Sequence, residues 1–331
     1  MNGINEMKIA IIGVYFGNLP EYFNLWLKSC EKNTKIDFFI FTDQEIISKP
    51  DNVMVYKYSL LEMKKRADSV LNLDCALNSP YKCCDYKPIF GLIFSDYLKE
   101  YDYWGHCDFD MLFGDLFSYF EKCLISQYDK FLPLGHLSLY RNTEEVNNRF
   151  KKEGSYIDYK KVFTSNDSFG FDEIDGMAAI YYKNHFSFYD KKIFADIDQK
   201  YKRFRLSEYC VPKQEKINYK YQIFFWDNGK VYRAMKKNGI IQKEEFCYIH
   251  FQKRKNMRLN DVSSKTMRFY ITDRGFFECD GNVSEEDIKL LNSYKGNLFE
   301  FLEKKIFDYK LIKKRIVRTV KKCLLGDNSE K

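Results

Sequence analysis

The chain has 331 residues, enough for a substantial core in one large domain or two modest ones. Its 30 Phe and 26 Tyr against 6 Pro exclude a disordered or collagen-like chain. A net charge of +7, from 54 basic and 47 acidic residues, suits an anionic small molecule or an acidic membrane surface and is weaker than a dedicated nucleic-acid binder carries, so no nucleic-acid partner is expected.

The apolar run "KIAIIGVYFG" reads as a buried strand ending at Gly17, with a loop after it. In "NLPEYFNLWLKSCEKN", Asn18 and Pro20 supply helix-start chemistry, and Phe23, Trp26, Leu27 and Cys30 recur with helical spacing. "IDFFIFTD" is a second buried strand, ending at Thr42–Asp43, and "VMVYKY" a third. Strand, helix, strand with short loops predicts an α/β domain with a mostly parallel sheet flanked by helices. "DYKPIFGLIFSDYLKEY" is expected to be a helix with Pro88 in its first turn and Phe90, Phe94, Tyr97 and Leu98 inside. A strand, "YDYWGHCDFDMLF", leads to the helix "GDLFSYFEKCL", for which Asp115 is placed as N-cap. Beyond Phe131 the pattern loosens. The expected organisation is an ordered α/β half over 1–130, a less regular half over 131–260 that completes the same domain, and a helical extension over 261–331.

Asp108 and Asp110 leave a strand, where positions two apart face one side. The carboxyl ends of strands are where open α/β sheets bind ligands. Two carboxylates there offer hard oxygen ligands to Mg²⁺ or Mn²⁺, which complete their shells with phosphate oxygens and water. A charged strand end is the alternative. His106 shares their parity, with packing in the core as its alternative. A second DxD, Asp196–Ile197–Asp198, lies where Ile193, Phe194, Ile197, Tyr201 and Phe204 follow helical spacing. On a helix, residues two apart point about 200° away from each other, so this copy is expected to be solvated charge on a surface helix.

Together, "VYFGNLPEYFNLWLKSC", "FIFTD", "YKPIFGLIF", "WGHCDFDMLFGDL" and "FDEIDGMAAIYY" resemble glycosyltransferases of the GT-A type, and more narrowly a bacterial family associated with capsule and O-antigen clusters. The resemblance covers roughly residues 7–255. It implies a GT-A fold whose first half binds a nucleotide diphosphate sugar, UDP-sugar favoured, and whose second half faces a glycan acceptor. It implies that Asp108 and Asp110 bind a divalent cation at the diphosphate, while Tyr15, Phe16, Thr42 and Asp43 hold base and ribose; Lys87 is placed to meet nucleotide or phosphate. By the same likeness His250 is the third metal ligand and Lys253 a diphosphate contact, although the glycine and Pro-Trp that accompany this histidine in some related families are missing. Imidazole favours Mn²⁺ over Mg²⁺. Asp172 or Glu173 is the candidate base for deprotonating an acceptor hydroxyl, with acceptor binding as the alternative, and His136, Asp175 and Tyr140–Arg141 are candidates for the acceptor side.

Residues 310–322, "KLIKKRIVRTVKK", hold seven Lys or Arg and no acid, with Ile312, Ile316 and Val320 four apart. They form a cationic amphipathic helix suited either to peripheral contact with an anionic membrane, which fits a lipid-linked acceptor, or to packing on its own domain. The ten cysteines lack metal-type spacing and no secretory signal precedes them, so they read as reduced thiols of a cytoplasmic protein. No apolar run approaches the ~20 residues needed to span a bilayer. A phosphohydrolase using the same aspartates and a non-catalytic membrane-binding protein are the rival readings.

Overall fold

Apolar runs rich in β-branched and aromatic residues build the central sheet, as expected for strands buried on both faces. The computed structural model describes residues 7–123, 125–208 and 217–325. Strands β1 (Ile9–Tyr15), β2 (Ile36–Thr42), β3 (Val53–Lys57) and β4 (Tyr103–Cys107) run parallel in the order β3-β2-β1-β4. After β5 (Met111–Phe113), the strands β6 (Lys130–Phe131), β7 (Leu137–Arg141) and β8 (Phe188–Tyr189) extend that sheet to seven members, with β7 antiparallel to both β4 and β6. The chain leaves β1 toward β2 on one side and returns to β4 on the other. Strand order therefore reverses between β1 and β4, which leaves a crevice outside their carboxyl ends. This is the α/β architecture, a mostly parallel sheet flanked by helices, that the sequence predicts.

The helix Phe23–Glu31 buries Phe23, Trp26, Leu27 and Cys30 on the sheet, as their spacing requires. Asp115 caps the helix Leu116–Lys122 by accepting from the Ser118 N–H at 3.2 Å. Around Pro88 the single expected helix is replaced by short turns at Cys83–Tyr86, Lys87–Ile89 and Phe90–Ile93. Proline lacks the N–H that would carry a helix through. Phe90, Phe94 and Leu98 are nonetheless buried.

Two expectations are corrected. Residues 191–204 are not a surface helix: the segment is mostly irregular and contains β9 (Ala195–Asp196). Phe194, Ile197 and Phe204 mimic a helical stripe because an irregular chain buries them at similar intervals. Residues 259–278 are not helical either. With β10 (Gln222–Asp227), β11 (Lys230–Lys237) and β12 (Ile240–Phe246), the later strands β14 (Leu259–Asn260), β15 (Arg268–Thr272) and β16 (Gly275–Glu278) form a six-stranded sheet, mostly antiparallel. The remaining strand, β13 (Tyr248–His250), joins β5 and β9 in a separate three-stranded sheet. Helices Glu285–Leu291 and Asn297–Leu325 follow. The backbone of 310–322 lies in the last helix, but the side chains at 314, 315 and 317–325 lie outside the described residues. The described cysteines are unpaired, and no described helix is long and apolar enough to cross a membrane.

Phe109, between the two aspartates, pins the turn after β4. Its ring stacks on Trp26 at 4.8 Å and meets Tyr15 at 5.1 Å, and Trp26 Nε1 donates to the Asp108 carbonyl at 3.3 Å. Gly13 in β1 makes room for that ring, since a Cβ there would lie 2.6 Å from Phe109 Cζ. Gly13→Ala is therefore expected to cost about 1–3 kcal/mol through overpacking. Thermal unfolding checks this, and an unchanged midpoint would show that Phe109 can shift freely.

Candidate metal and substrate site

Strand β4 stops at Cys107, so Asp108 and Asp110 lie in the turn leading to β5 and not along the strand itself. They converge because the turn folds their side chains toward β13, which pairs antiparallel with β5 and sets His250 opposite Met111. One oxygen each from Asp108 and Asp110 and one His250 nitrogen lie within 4.8 Å of one another. His250 is fixed from behind. Its Nδ1 is 2.8 Å from Asp196 Oδ1, and Gln252 Nε2 donates to the other Asp196 oxygen at 2.7 Å. The parallel pairing of β9 with β13 brings Asp196 there, beside His250. Asp196, expected to be solvated, is thus buried and aimed at the site. Gln252 and Lys253 follow β13 in left-handed backbone (φ 47° and 68°), which turns the Lys253 N–H onto Asp110.

The donor set fits a divalent cation. His250 Nε2 faces Asp110 Oδ1 at 3.5 Å, long for a hydrogen bond between charged groups. Two ligands each about 2.1 Å from one ion stand roughly 3 Å apart, so a small closure would accommodate both. An Nδ1 held by a carboxylate is the usual backing of a metal-bound imidazole. His136 stacks on His250 at 4.2 Å with its Nδ1 3.0 Å from the Tyr248 hydroxyl, and its Nε2 has no partner among the described residues. In the protein alone, burial would raise Asp110 and Asp196 and lower His250. Their mutual attraction outweighs it, holding both acids well below the usual carboxylate range and lifting His250 to about 10.

A second group adjoins the first. Lys87, expected to meet nucleotide or phosphate, is buried and already bound: its Nζ lies 2.7 Å from Asp108, 3.0 Å from Asp172 and 2.8 Å from the Gly135 carbonyl. Burial works against its charge, but the two carboxylates hold it well above the ordinary lysine value. Burial pushes Asp172 up to about 7 despite Lys87. Glu173 is also raised, chiefly because protein crowds it, although water in the cleft reaches its side chain; it accepts from the Gly135 N–H at 3.2 Å. A Cβ on Gly135 would overlap the Asp172 carboxylate, so a side chain there would have to push Asp172 away from Lys87.

These groups line one cleft of about 1430 Å³, together with Tyr15, Phe16, His136, Asp175 and Lys253. Thr42 and Asp43 are not among its lining residues. Thr42 is fully buried, while Asp43 is exposed and accepts from the Gly17 N–H at 2.9 Å, bracing the loop after β1. Tyr140 and Arg141 also lie away from the cleft: Tyr140 is buried in the core, and Arg141 pairs with Asp129 at 3.0 Å. His106 is packed, fully buried, against Phe90 and Tyr140. Sequence reasoning missed Asp196, Gln252, Tyr248 and Lys255, whose Nζ donates to the Tyr15 hydroxyl at 2.6 Å. Only the repeated DxD pattern could have pointed to Asp196.

Fold and site define a class: an α/β protein with carboxylates and a histidine gathered at the switch point of a mostly parallel sheet. Residues 11–280 match a sequence family described as a family of unknown function (DUF6625), and the chain belongs to that family. No curated protein matches it. Among solved structures, apo mouse xyloside xylosyltransferase 1 aligns at a TM-score of 0.42 and 7% identity, over 76% of this chain and 100% of that one.

Because Asp196 orients His250, Asp196→Asn is expected to weaken divalent-cation binding at this site by about 10–100-fold. Calorimetric titration with the metal alone measures this, and an affinity equal to that of the unaltered protein would remove His250 from the metal.

Proposed function

We propose that the protein is a metal-dependent glycosyltransferase that moves a sugar from a nucleotide diphosphate sugar to an acceptor hydroxyl. The observation that carries this reading is the convergence of Asp108, Asp110 and an Asp196-oriented His250 on the wall of a large cleft at the sheet's switch point. Asp108, Asp110 and His250 would hold the cation, and imidazole among the ligands favours manganese. A divalent ion there neutralises the charge that builds on a departing diphosphate.

The protein's own groups divide the remaining work. Lys253, with its side chain lining the cleft, supplies a second positive charge for the diphosphate. Tyr15, steadied by Lys255, offers a ring on which a base can stack, and Asp43 keeps the neighbouring loop in place. Lys87 is a positioning residue that ties Asp108 to Asp172. Glu173, raised and open to the cleft, is the better proton acceptor for an acceptor hydroxyl, with Asp175 and His136 lining the same cleft. The narrower reading, a UDP-hexose donor and a surface-polysaccharide precursor of the capsule or O-antigen kind, rests on the segment resemblance alone. A cytoplasmic location follows from that reading.

Titration calorimetry with UDP, GDP and CDP, each with and without Mn²⁺, tests the donor site. One nucleotide should bind only with the metal, and binding should disappear in Asp110→Asn and His250→Ala. Failure of every nucleotide would sink the donor assignment, and phosphate release without a sugar acceptor would replace it with a phosphohydrolase. With the donor known, Glu173→Gln should lower kcat by about 10²–10⁴ while leaving nucleotide affinity unchanged. An unaffected kcat would move the base elsewhere or point to a retaining reaction.

A further inference from the structure

Among the described side chains, two acids near the start of the helix Asn297–Leu325 fasten it to the protein. Glu300 is buried and accepts from Arg203 Nε at 2.7 Å and Arg205 Nη1 at 2.6 Å, and Glu303 accepts from the Lys202 N–H at 3.1 Å. At about 100° per residue, the side opposite these acids carries Leu298, Leu302, Ile306, Tyr309, Ile312 and Ile316. Each is between 45% and 69% exposed. Scattered apolar residues on a surface are ordinary, but these six form one line about 27 Å long.

We propose that this face docks on an anionic lipid bilayer, with the helix lying in the plane of the interface. The charge distribution selects that occupant. Glu300 and Glu303 are turned toward the body, Lys305 and Lys313 are exposed within the stripe, Lys310 is exposed nearer the acids, and the half-buried Asp308 flanks the opposite edge. Lys305 falls inside the stripe itself. Against a second copy of the chain, which also carries +7, it would bring like charge into an apolar seam. In a bilayer its stem lies along the apolar surface and its ammonium reaches the phosphates. Tyr309 suits the same boundary, apolar in its ring and polar at its tip.

The docked face also adjoins the mouth of the cleft. Ile306, at the edge of that face, lines a second hollow of about 740 Å³ together with Glu303, Phe307 and Lys310, and this hollow shares Lys200, Lys253 and Lys255 with the main cleft. The bilayer would therefore lie beside the opening, and an acceptor carried on a lipid phosphate could enter without leaving the leaflet. That last consequence rests on the transferase reading; the docking does not.

The test is co-sedimentation of the full chain with phosphatidylcholine vesicles, with and without phosphatidylglycerol. The double variant Ile306→Asp/Ile312→Asp is run in parallel, and sedimentation velocity is measured without lipid. The protein should bind the anionic vesicles, and binding should fall with added salt, since each cation near the leaflet contributes roughly fivefold. The double variant should lose about a hundredfold in partition while keeping its thermal midpoint, because both positions are exposed in the folded protein. Three results would overturn the proposal: no binding to anionic vesicles, equal binding by the variant, or a dimer that the variant converts to monomer.

Discussion

The site depends on a balance of buried charge. Asp108, Asp110, Asp172, Glu173 and Asp196 all line one cleft, and two like charges 4 Å apart repel by about 4 kcal/mol at an effective dielectric of 20. Lys87 and His250 make that crowding tolerable, each from between two carboxylates. Lys87 joins Asp108 to Asp172 and so links the turn after β4 to the loop at 170–175. His250 stands between Asp110 and Asp196, linking the same turn to β9 and β13. Chain segments more than a hundred residues apart are thus positioned by the same few ionic contacts.

The turn itself follows from its middle residue. Asp108 and Asp110 can point at one ion because Phe109 points away, into an aromatic stack with Trp26, Phe23 and Tyr15. Its anchor is hydrophobic and therefore independent of the charges it positions. Gly13 in β1 makes that packing possible, so a residue of the first strand helps to set the geometry of a motif almost a hundred positions later.

The first half of the fold was legible because strands buried on both faces read as unbroken apolar runs, and Phe23–Cys30 repeat at helical spacing. Asp108, Asp110 and His250 were legible from residue chemistry combined with the resemblance of whole segments. Their mode of convergence was not, because a turn and a three-stranded sheet with strands from three distant segments leave no periodic trace. Asp196 was misplaced for a definite reason. Ile193, Phe194, Ile197, Tyr201 and Phe204 satisfy a helical template, yet pairing of β9 with β13 overrides local preference, as tertiary context often does. Strands β14–β16 escaped because they are short, and their pairing partners lie as far back as β10.

On the proposed reading, Asp172 and Glu173, neighbours in sequence, have opposite prospects as proton acceptors. Protonating Asp172 would remove one of the two carboxylates that hold Lys87, leaving a buried ammonium to Asp108 and the Gly135 carbonyl. Losing one partner of a buried ion pair is costly, so although burial pushes Asp172 up to about 7, a proton taken there would weaken the hold on Lys87. Glu173 has no such obligation, since its one contact in this group is the Gly135 N–H, which a neutral carboxyl can still satisfy through its carbonyl oxygen. On the proposed reading, the glycine at 135 serves both acids. It leaves room for the Asp172 carboxylate and presents an N–H to Glu173, so that one acid can stay fixed while the other takes and returns a proton.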